Sequence, residues 1–584
     1  MVDLCWQNTT GSYNSMKSWI KKYWTELLVF GVISLVLFID VSPDMTWINT
    51  DSDGVHYIYA AKYFYPSHKG SAPLYLLLGH LFLWIPIATE AWRMALISVI
   101  SGIAGSVFIY LAILHHTYKN KYSRLFGVAG ALIYGSSALA ISQNTIVETY
   151  PLITALGIMA YYFSIRKWWW ACAISLGAGL AIHTNIIFVI IPIIIANKEF
   201  RCWEYGGIIA AFLLFYLYIP ITNRYPYMWN APNNTGGLLG FTQDVFATGQ
   251  MLTGGLSIWD FPKRILDTIL QLGLNWNIGI IALGVYVWRI KWYKDLLGWL
   301  ILLPILYYLG NLAPQTYVYM QPSIAFGAIA IGIGLSKIGI PYNRIWISNK
   351  QTKVIMSSVI IVSSLLLIYN ANYFDIGRTL DPNLSARQFY NNELSKVPDG
   401  QILLAQQGWE WAMVYPYNKN EGRNIIPVNP GSLASKKYQD MLHSWGIKFD
   451  EPKEKVTLVE LQSFLVKEIL NKNKDIWITV PTEPRTYGAK IITYKGNENR
   501  LGITPISITD GSKDMQWKWK PSNPYDIITG AIEVEEWIYI IFSNYSVLTF
   551  MMMGTIGFIP IWIIGMVVIR KKKWSFKKIR EVIA

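Results

Sequence analysis

Carboxylates and imidazoles cluster in one short stretch of this chain, between Asp51 and Tyr75. The stretch reads DSDGVHYIYAAKYFYPSHKGSAPLY and follows the first long apolar run, residues 24–41. Carboxylates placed directly after a membrane span cost free energy unless they face water or a cavity. A positioned carboxylate can act as a general base, taking the proton of a hydroxyl nucleophile. The stretch therefore indicates a reaction at the membrane surface, with Asp51 and Asp53 as first candidates.

The elements that must position these residues are membrane helices. The 584 residues are 53% hydrophobic and 15% charged, whereas about 25% charged residues is usual in soluble domains. Apolar stretches of about 17–22 residues recur between residues 24 and 370, and another covers 538–569. The net charge of +14 does not indicate nucleic acid binding, because Lys and Arg lie in short runs between apolar stretches. We therefore predict a mostly α-helical polytopic membrane protein.

Basic loops assign the apolar runs to sides of the membrane, since loops rich in Lys and Arg stay in the cytoplasm. The lysines of residues 17–22 put the N-terminus inside and Asp53 outside. The basic loop 115–124 is again inside, so only one crossing, 92–114, can separate it from Asp53. The apolar stretch 73–88 is then predicted to be a helix lying along the outer interface.

The same parity continues to the end of the chain and gives about twelve crossings. They are predicted at 24–41, 92–114, 124–141, 150–165, 168–182, 185–197, 203–221, 277–290, 295–311, 321–339, 353–370 and 538–569. Region 371–537 and the long loop 222–276 fall outside. Many polar residues then share the outer side: Asp51, Asp53, His56, His68, Gln143, Asn144, Glu148, His183, Thr184, Asn185, Asn223, Arg224, Asn230, Asp244 and Gln315. We expect a site there, because loops held by a rigid scaffold often carry function.

The polar region 371–537 is predicted to be an extracytoplasmic α/β domain placed before the last helix. Its patterns predict strands at 401–406, 424–428, 475–480 and 489–495, and helices at 383–397 and 457–470. Alternating strands and helices favour a small α/β fold. The segment GWEWAMVYPY, 408–417, is interpreted either as the lining of a sugar or polypeptide groove or as ordinary core. The predicted units are thus 1–370, 371–537 and 538–584, the last being a helix with a basic cytoplasmic tail.

Several segments, taken in order, resemble one family. Asp53 precedes His68 by fifteen residues, and Pro73-Leu74-Tyr75 follow. The segments ISQNTIVETYPL, GLAIHTN and YIPITNRYPYMWNAPNN come next, and Trp409, Tyr415 and Arg423 open the outer domain. The chain resembles the GT-C-type membrane glycosyltransferases, and within them the domain-of-unknown-function family that includes a eukaryotic O-mannosyltransferase acting on plexin-type receptors. It departs from that family at His56, where the family has glutamate, and after His68, where the family has two prolines.

The resemblance implies a mannosyltransferase-like enzyme that uses a polyprenyl-phosphate-linked sugar, for example a dolichyl-phosphate one, as in O-mannosylation. The acceptor would be a protein hydroxyl or an envelope glycan, on the outer side of the cell membrane or of the ER membrane. Asp53 is the predicted general base, and a single base favours inversion. Arg224, Lys69 and His68 are candidates for the phosphate. Asp51, Glu148, Tyr150 and His183 are predicted to bind the substrate or hold Asp53.

Each of these residues also has an ordinary structural interpretation. Asp53 could cap a loop, Arg224 could reach the interface from a helix end, and Glu148 could stabilise a helix N-terminus. Asp51, Asp53, Glu148 and His183 could form an oxygen-rich cation site if they meet. No metal site is predicted from the spacing, and a divalent cation as cofactor is left open.

Two other functions compete with the transferase. A transporter or flippase of lipid-linked saccharides would place charged groups at the membrane midplane and often has repeated halves, and the sequence indicates neither. A non-catalytic membrane scaffold that displays the outer domain would have no need of Asp53 and Glu148 on one side. Membrane lipids are expected partners in every case, and nucleic acid is not.

Overall fold

Helices make up most of the structure, a computed structural model. It describes residues 13–43, 53–64, 72–197, 199, 202–216, 260–290, 295–310, 316–338, 349–373, 389–405, 408–429, 433, 436–450, 464–466, 468–469, 471–473, 476–480, 491–493, 502–505 and 507–509. The helices before residue 374 are α1 Tyr13–Ile39, α2 Asp53–Tyr63, α3 Pro73–Leu83, α4 Glu90–Thr117, α5 Ser123–Gly135, α6 Ala138–Asn144, α7 Tyr150–Ile165, α8 Trp169–Leu180, α9 Ile187–Ala196, α10 Cys202–Tyr216, α11 Asp260–Trp276, α12 Gly279–Arg289, α13 Leu296–Gly310, α14 Gln321–Ile338 and α15 Asn349–Tyr373. Short 3-10 helices, Thr184–Ile186 and Thr316–Met320, precede α9 and α14.

Four helical segments in the described part of the chain are long and apolar enough to cross a membrane. They are Lys22–Ile39, Glu90–Thr117, Val318–Lys337 and Val354–Ala371, and two bent helix pairs raise the number to six if each pair is one span. Further apolar helices, such as α7 and α8, are shorter. The chain is therefore an integral membrane protein, while the count of twelve crossings stays a prediction. The predicted crossing 538–569 lies outside the described residues.

The predicted crossing 124–141 is wrong as one continuous helix, because it breaks between α5 and α6. The two helices meet at an angle of 67°. Ser136 and Ser137 separate them, and the Ser137 side chain accepts a hydrogen bond from the N–H of Ala140 at the start of α6. Serine favours such a capping position over a helix interior, since its hydroxyl satisfies a terminal N–H. Ser137 therefore contributes a local cap at the break.

The long outer loop predicted at 222–276 is also wrong in part, because α11 occupies its C-terminal end. This helix bends by 108° into α12, over Thr268–Trp276 and Gly279–Arg289. Asn277 between them has φ 50°, a left-handed conformation that asparagine adopts more readily than most residues. Polar residues interrupt the apolar residues along α11, so this segment contains no continuous apolar run that predicts a helix.

The first loop contains two short helices. Asp53 is the first residue of α2. Pro73 is the first residue of α3, and the fixed φ of proline suits a first helical turn. The eleven residues of α3 span about 16 Å, well short of the roughly 30 Å hydrocarbon core. The length of α3 thus agrees with a helix that does not cross, and residues 84–89 form a turn rather than more helix.

Residues beyond 389 combine strands and helices. They form a π-helix Phe389–Glu393, a 3-10 helix Leu394–Lys396, β1 Ile402–Leu404, α16 Gly408–Glu421, β2 Ile426–Val428, α17 Lys436–Ser444, β3 Ile476–Val480, β4 Ile491–Thr493, β5 Gly502–Pro505 and β6 Ser507–Thr509. One sheet has the strand order β2-β1-β3-β5. In it, β1 is parallel to both β2 and β3, whereas β5 is antiparallel to β3. Strands β4 and β6 form a second, antiparallel pair. The unit β1-α16-β2 is a parallel βαβ crossover. We call residues 389–509 the α/β unit, and its side of the membrane stays a prediction.

The two faces of β1 bury their residues in different cores. Leu403 and α16 pack into the same apolar cluster as α2 and α3, while Ile402 and Leu404 pack with α17 and Leu465. Alternate residues of a strand point to opposite faces, so one face of the sheet is joined to the helical bundle. Helix α2 lies at this junction and contacts α16.

Contacts between helix ends follow the side that the charge pattern assigns to them. Arg124 at the start of α5 forms an ion pair with Glu26 in α1, and Lys167 after α7 pairs with Glu199 after α9 at 2.8 Å. All of these ends are predicted to be cytoplasmic. Each of the two contacts thus joins ends that the charge pattern assigns to the same side, and the assignment of sides stays a prediction.

Candidate functional site

Backbone hydrogen bonds tie together the loops at the predicted outer end of the bundle. The N–H of Ser42, after α1, donates to the carbonyl of Thr145, after α6, at 2.8 Å. The N–H of Leu74 in α3 donates to the carbonyl of Ala181, after α8, at 3.1 Å. These bonds connect segments far apart in sequence, so they fix the relative positions of the three loops that carry the predicted site residues.

Glu148 is the buried centre of this loop cluster, with 1% of its surface exposed. Its carboxylate Oε1 accepts hydrogen bonds from the N–H and the hydroxyl of Thr149, at 2.7 and 3.1 Å. The hydroxyl of Ser98 in α4 donates to the Glu148 carbonyl at 3.0 Å. A buried carboxylate is stable only when donors hold it, so the Glu148 side chain is well positioned. The local bonds also agree with its capping interpretation, because Thr149 is the N-cap residue of α7.

Tyr75, which closes the first-loop motif, lies beside Glu148. Its side chain is fully buried, and burial, followed by the negative charge of Glu148, raises the pKa of Tyr75. The ring of Tyr75 contacts that of Tyr57 in α2, with centroids 5.2 Å apart. The structure therefore brings the first loop and the α6–α7 loop together, although about seventy residues separate them in the chain.

Tyr150 and His183 meet in an aromatic group. Their ring centroids lie 5.6 Å apart, and Tyr319, from the 3-10 helix before α14, contacts both at 5.5 and 6.1 Å. The Nδ1 atom of His183 accepts the N–H of Asn185 at 3.1 Å, so this histidine caps a 3-10 helix. The sequence motifs predicted Tyr150 and His183 as site residues, but no motif predicted Tyr319.

Asp53 is the first residue of α2, one helical turn before Tyr57. A turn rises by about 5.4 Å, so position 53 lies within about two turns of the Tyr57–Tyr75 contact. The structure describes the backbone of Asp53 but not its side chain. His56, the residue at which the chain departs from the family pattern, is buried in α2, with 1% exposed.

Four predicted site residues lie outside the described residues: Asp51, His68, Lys69 and Arg224. Their predicted roles with phosphate or substrate stay predictions. Among the residues that the structure describes, no group of three or more His, Cys, Asp or Glu side chains could hold a metal ion. The side chains of Asp51 and Asp53 are not among the described ones, so a cation site that includes this acidic pair stays open.

A layer of neutral polar side chains lies beneath the loops. The sequence pattern did not predict that these side chains form a group. The layer consists of the side chains of Tyr134, Asn144 and Gln321. The Nε2 atom of Gln321 donates to the Asn144 Oδ1 atom at 3.2 Å and to the Tyr134 hydroxyl at 3.4 Å. All three side chains are at most 1% exposed. Hydrogen bonds of this kind fix neighbouring membrane helices relative to each other, which makes the layer a rigid support for the loops.

These features define an integral membrane protein whose polar loop residues converge at one end of a helical bundle, next to an α/β unit. No protein-family model matches the chain, and no curated protein matches it in sequence. Several solved structures are similar to it, including two of one protein. The first is ArnT from Cupriavidus metallidurans bound to undecaprenyl phosphate, with 10% identity, 75% of this chain and 97% of that chain covered, and a TM-score of 0.46. The second is the same protein in the apo state, with 12% identity, 75% and 96% covered, and a TM-score of 0.43. Likenesses of this size establish neither a shared fold nor a shared function.

Proposed function

We propose that this protein is an inverting glycosyltransferase that moves a sugar from a polyprenyl-phosphate carrier to an acceptor hydroxyl at the outer face of the membrane. The observation that supports it most is the placement of Glu148 beside Tyr75, with Tyr57 of α2 against the same tyrosine. Asp53 begins α2 one turn earlier. An acidic residue at a helix start, a buried carboxylate and two tyrosines close to one another in the chain's loop cluster support a transfer site at the membrane surface.

In the proposed reaction, the Asp53 carboxylate takes the proton of the acceptor hydroxyl. The acceptor oxygen then attacks the anomeric carbon of the carrier-linked sugar, and the bond from that carbon to the phosphate oxygen breaks. The electron pair of that bond leaves with the polyprenyl phosphate. One displacement inverts the anomeric centre, whereas retention would need a second carboxylate as nucleophile.

The other predicted residues serve this reaction by binding. Arg224 and Lys69 would balance the charge of the leaving phosphate, to which guanidinium groups are well matched, and His68 would donate a hydrogen bond. Glu148 and Tyr150 would bind sugar hydroxyls, with Asp51 and His183 as further contacts. The mannose-like donor and the family with the eukaryotic O-mannosyltransferase are part of the proposal and rest on the sequence resemblance alone.

Carrier-dependent transfer tests the proposal directly. The purified full-length protein is incubated with polyprenyl phosphates carrying mannose, glucose, galactose or N-acetylglucosamine, together with a mixture of oligosaccharide and Ser/Thr-rich peptide acceptors, and the release of free polyprenyl phosphate is measured. We expect release from one carrier in the wild type and a drop of about 10²- to 10⁴-fold in Asp53→Asn, the range that general-base catalysis contributes.

Two comparisons make this result interpretable. Asp399→Asn changes an exposed aspartate of the α/β unit and is expected to keep the wild-type rate. Carrier binding by Asp53→Asn, measured by native mass spectrometry, should match the wild type. Full release by Asp53→Asn would remove Asp53 from the mechanism, and no release from any carrier by the wild type would contradict the transferase.

A transporter of lipid-linked saccharides is the second candidate, because of the two bent helix pairs. Transporters often bind their substrates where membrane helices are interrupted, and here the breaks adjoin buried Ser137 and Asn275. The two functions separate in liposomes that contain a fluorescent polyprenyl-phosphate sugar. A transporter moves the intact lipid between leaflets, whereas the transferase cleaves it and leaves its distribution unchanged.

A further inference from the structure

We propose that a cavity between α2 and the α/β unit binds a saccharide, so that the acceptor of the proposed transferase is a glycan rather than a polypeptide. This inference rests on the proposed function and adds the class of acceptor to it. The cavity has a volume of about 390 Å³, which falls within the range of about 300–1,000 Å³ usual for small-molecule sites.

The cavity wall is aromatic and its rim carries amides. Tyr59 from α2 and Tyr390 from the α/β unit line it, together with Asn391 and Asn420. The two tyrosine rings lie nearly parallel, with an interplanar angle of 22° and centroids 6.4 Å apart. Tyr59 is buried and supports the half-buried Tyr390 ring. The Tyr390 ring, with amides that both donate and accept, suits the alternating C–H faces and hydroxyls of a sugar.

Asn420 holds this wall in place. Its Oδ1 atom accepts a hydrogen bond from the Tyr63 hydroxyl at 2.8 Å, and its Nδ2 atom donates to the Tyr390 hydroxyl at 2.8 Å. The Tyr390 ring is also packed edge-on against Tyr417, with centroids 5.3 Å apart. Ordering the wall before the ligand arrives lowers the entropy lost on binding, so the geometry is that of a prepared site.

The two cations at the cavity are both held in place by protein groups. Lys62 forms an ion pair with Glu90 at 2.8 Å. Burial alone would lower the pKa of Lys62, but the hydrogen bond and the charge of Glu90 outweigh it, so this pKa is raised. The Arg93 guanidinium donates to the carbonyls of Leu83 and Ile85 at 2.6 and 2.9 Å. These contacts fix the positions of Lys62 and Arg93, and the Glu90 carboxylate can still accept hydrogen bonds from hydroxyl groups.

The surrounding backbone argues against a polypeptide ligand. Polypeptides commonly bind by adding a strand to a sheet edge, and the residues that line this cavity belong to helices and turns. The turn before α4 contains Ala88 with φ 53°, a left-handed conformation that costs energy in a residue other than glycine and recurs at ligand sites. The site therefore resembles a small polar pocket more than a peptide groove.

The distance to the proposed base fits an extended acceptor. Tyr59 lies six residues after Asp53 in α2, a rise of about 9 Å along the helix axis. A saccharide chain held in the cavity by an inner unit would reach the start of α2 with its terminal hydroxyl. The cavity would thus select the acceptor, while Asp53 would act on its end.

Saccharide binding without any donor tests this inference separately from transfer. The full-length protein is mixed with mannotriose, maltotriose or chitotriose, or with a Ser/Thr-rich peptide, and binding is measured by saturation-transfer NMR titration. We expect one trisaccharide to bind and the peptide not to bind. Asn391→Ala should weaken binding about two- to tenfold, the equivalent of one hydrogen bond, and Tyr390→Ala at least as much.

Asn392→Ala is the matched control, because Asn392 is the exposed neighbour of Asn391 and does not line the cavity; it should bind like the wild type. Thermal unfolding of each variant checks that the fold is kept, and Asn391→Ala decides the outcome if Tyr390→Ala unfolds. Binding of the peptide alone, binding of no trisaccharide, or binding that Asn391→Ala leaves unchanged would overturn the inference. Transfer to the peptide with no trisaccharide bound would leave the proposed transferase intact and reject only the glycan acceptor. Binding of a trisaccharide without cleavage of any carrier would support the saccharide site and contradict the proposed transferase.

Discussion

Asn275 of α11 caps the helix that Ser137 opens, so a side chain at one helix break stabilises the other. Its Oδ1 atom accepts hydrogen bonds from the Ser137 hydroxyl at 2.9 Å and from the N–H of Leu139 at 2.8 Å. Both Asn275 and Ser137 are fully buried. The two bent helix pairs are therefore one coupled unit, positioned directly below the loop cluster.

Replacing Asn275 should destabilise the protein. Asn275→Ala leaves two buried donors without their acceptor, which costs about 1–3 kcal/mol. We expect a lower apparent unfolding temperature of the detergent-solubilised protein, measured by intrinsic fluorescence. Asn277→Gly is the control at the same break, because glycine adopts its positive φ without strain and should leave the midpoint equal or higher. Equal losses in both variants would contradict the capping role of Asn275.

Substitutions of Glu148 separate capping from substrate binding. Glu148→Gln keeps an acceptor oxygen for Thr149 but removes the charge, so the fold should be kept while transfer falls about ten- to a hundredfold, as expected for hydrogen bonds to a charged group. Glu148→Ala should also lower the unfolding temperature. The two readouts are carrier cleavage and thermal unfolding on the same samples. Wild-type cleavage by Glu148→Gln would show that this residue only caps α7.

A close helix contact at Gly334 should not tolerate a methyl group. A Cβ atom there would lie 2.0 Å from the carbonyl oxygen of Ala282 in α12, so the backbones would have to separate. Small residues allow such contacts between membrane helices, and overpacking costs about 1–3 kcal/mol. Gly334→Ala should therefore lower the unfolding temperature. Gly31→Ala is the control, since nothing lies within 4 Å of that position and alanine favours a helix more than glycine does, so its unfolding temperature should be equal or higher. An equal loss in both variants would contradict the steric cause.

The α/β unit should lose a stabilising contact in acid. The Arg423 guanidinium donates to Asp399 at 2.7 Å and, with the N–H of Asn424, holds the pKa of Asp399 below its ordinary value. A carboxyl whose folded pKa is lowered stabilises the fold above its unfolded pKa, and this is lost as the pH falls through the folded pKa. The unfolding temperature of the wild type should therefore fall more steeply than that of Asp399→Asn below about pH 4. Parallel curves would contradict this contribution.

Long apolar runs predicted their helices well. The runs 150–165 and 321–339 coincide with α7 and α14, because a continuous apolar stretch can satisfy its backbone within a membrane only as a helix. The strands at 401–406, 424–428, 475–480 and 489–495 contain β1 to β4 for a similar reason, since short β-branched runs bounded by turn residues have few alternatives.

The errors occurred where tertiary contacts outweighed local pattern. The run 124–141 is broken because Asn275, distant in sequence, supplies the acceptor that a helix start at Ala138 needs. Helix α11 was missed because its apolar residues are spaced for one face of a helix that packs on α13 and α14, and a search for continuous apolar runs does not detect such spacing.

By itself the sequence determined that this is a helical membrane protein, which loops carry its acidic and imidazole groups, and that those loops alternate with basic ones. Charge and hydropathy act along the chain, so they can be read from it. Only the tertiary structure decided which of these groups meet. It placed Tyr75 near Glu148, grouped Tyr150 and His183 with Tyr319, and stacked Tyr59 on Tyr390 at the cavity that both residues line. Such contacts depend on packing between distant segments, which no spacing within the chain specifies.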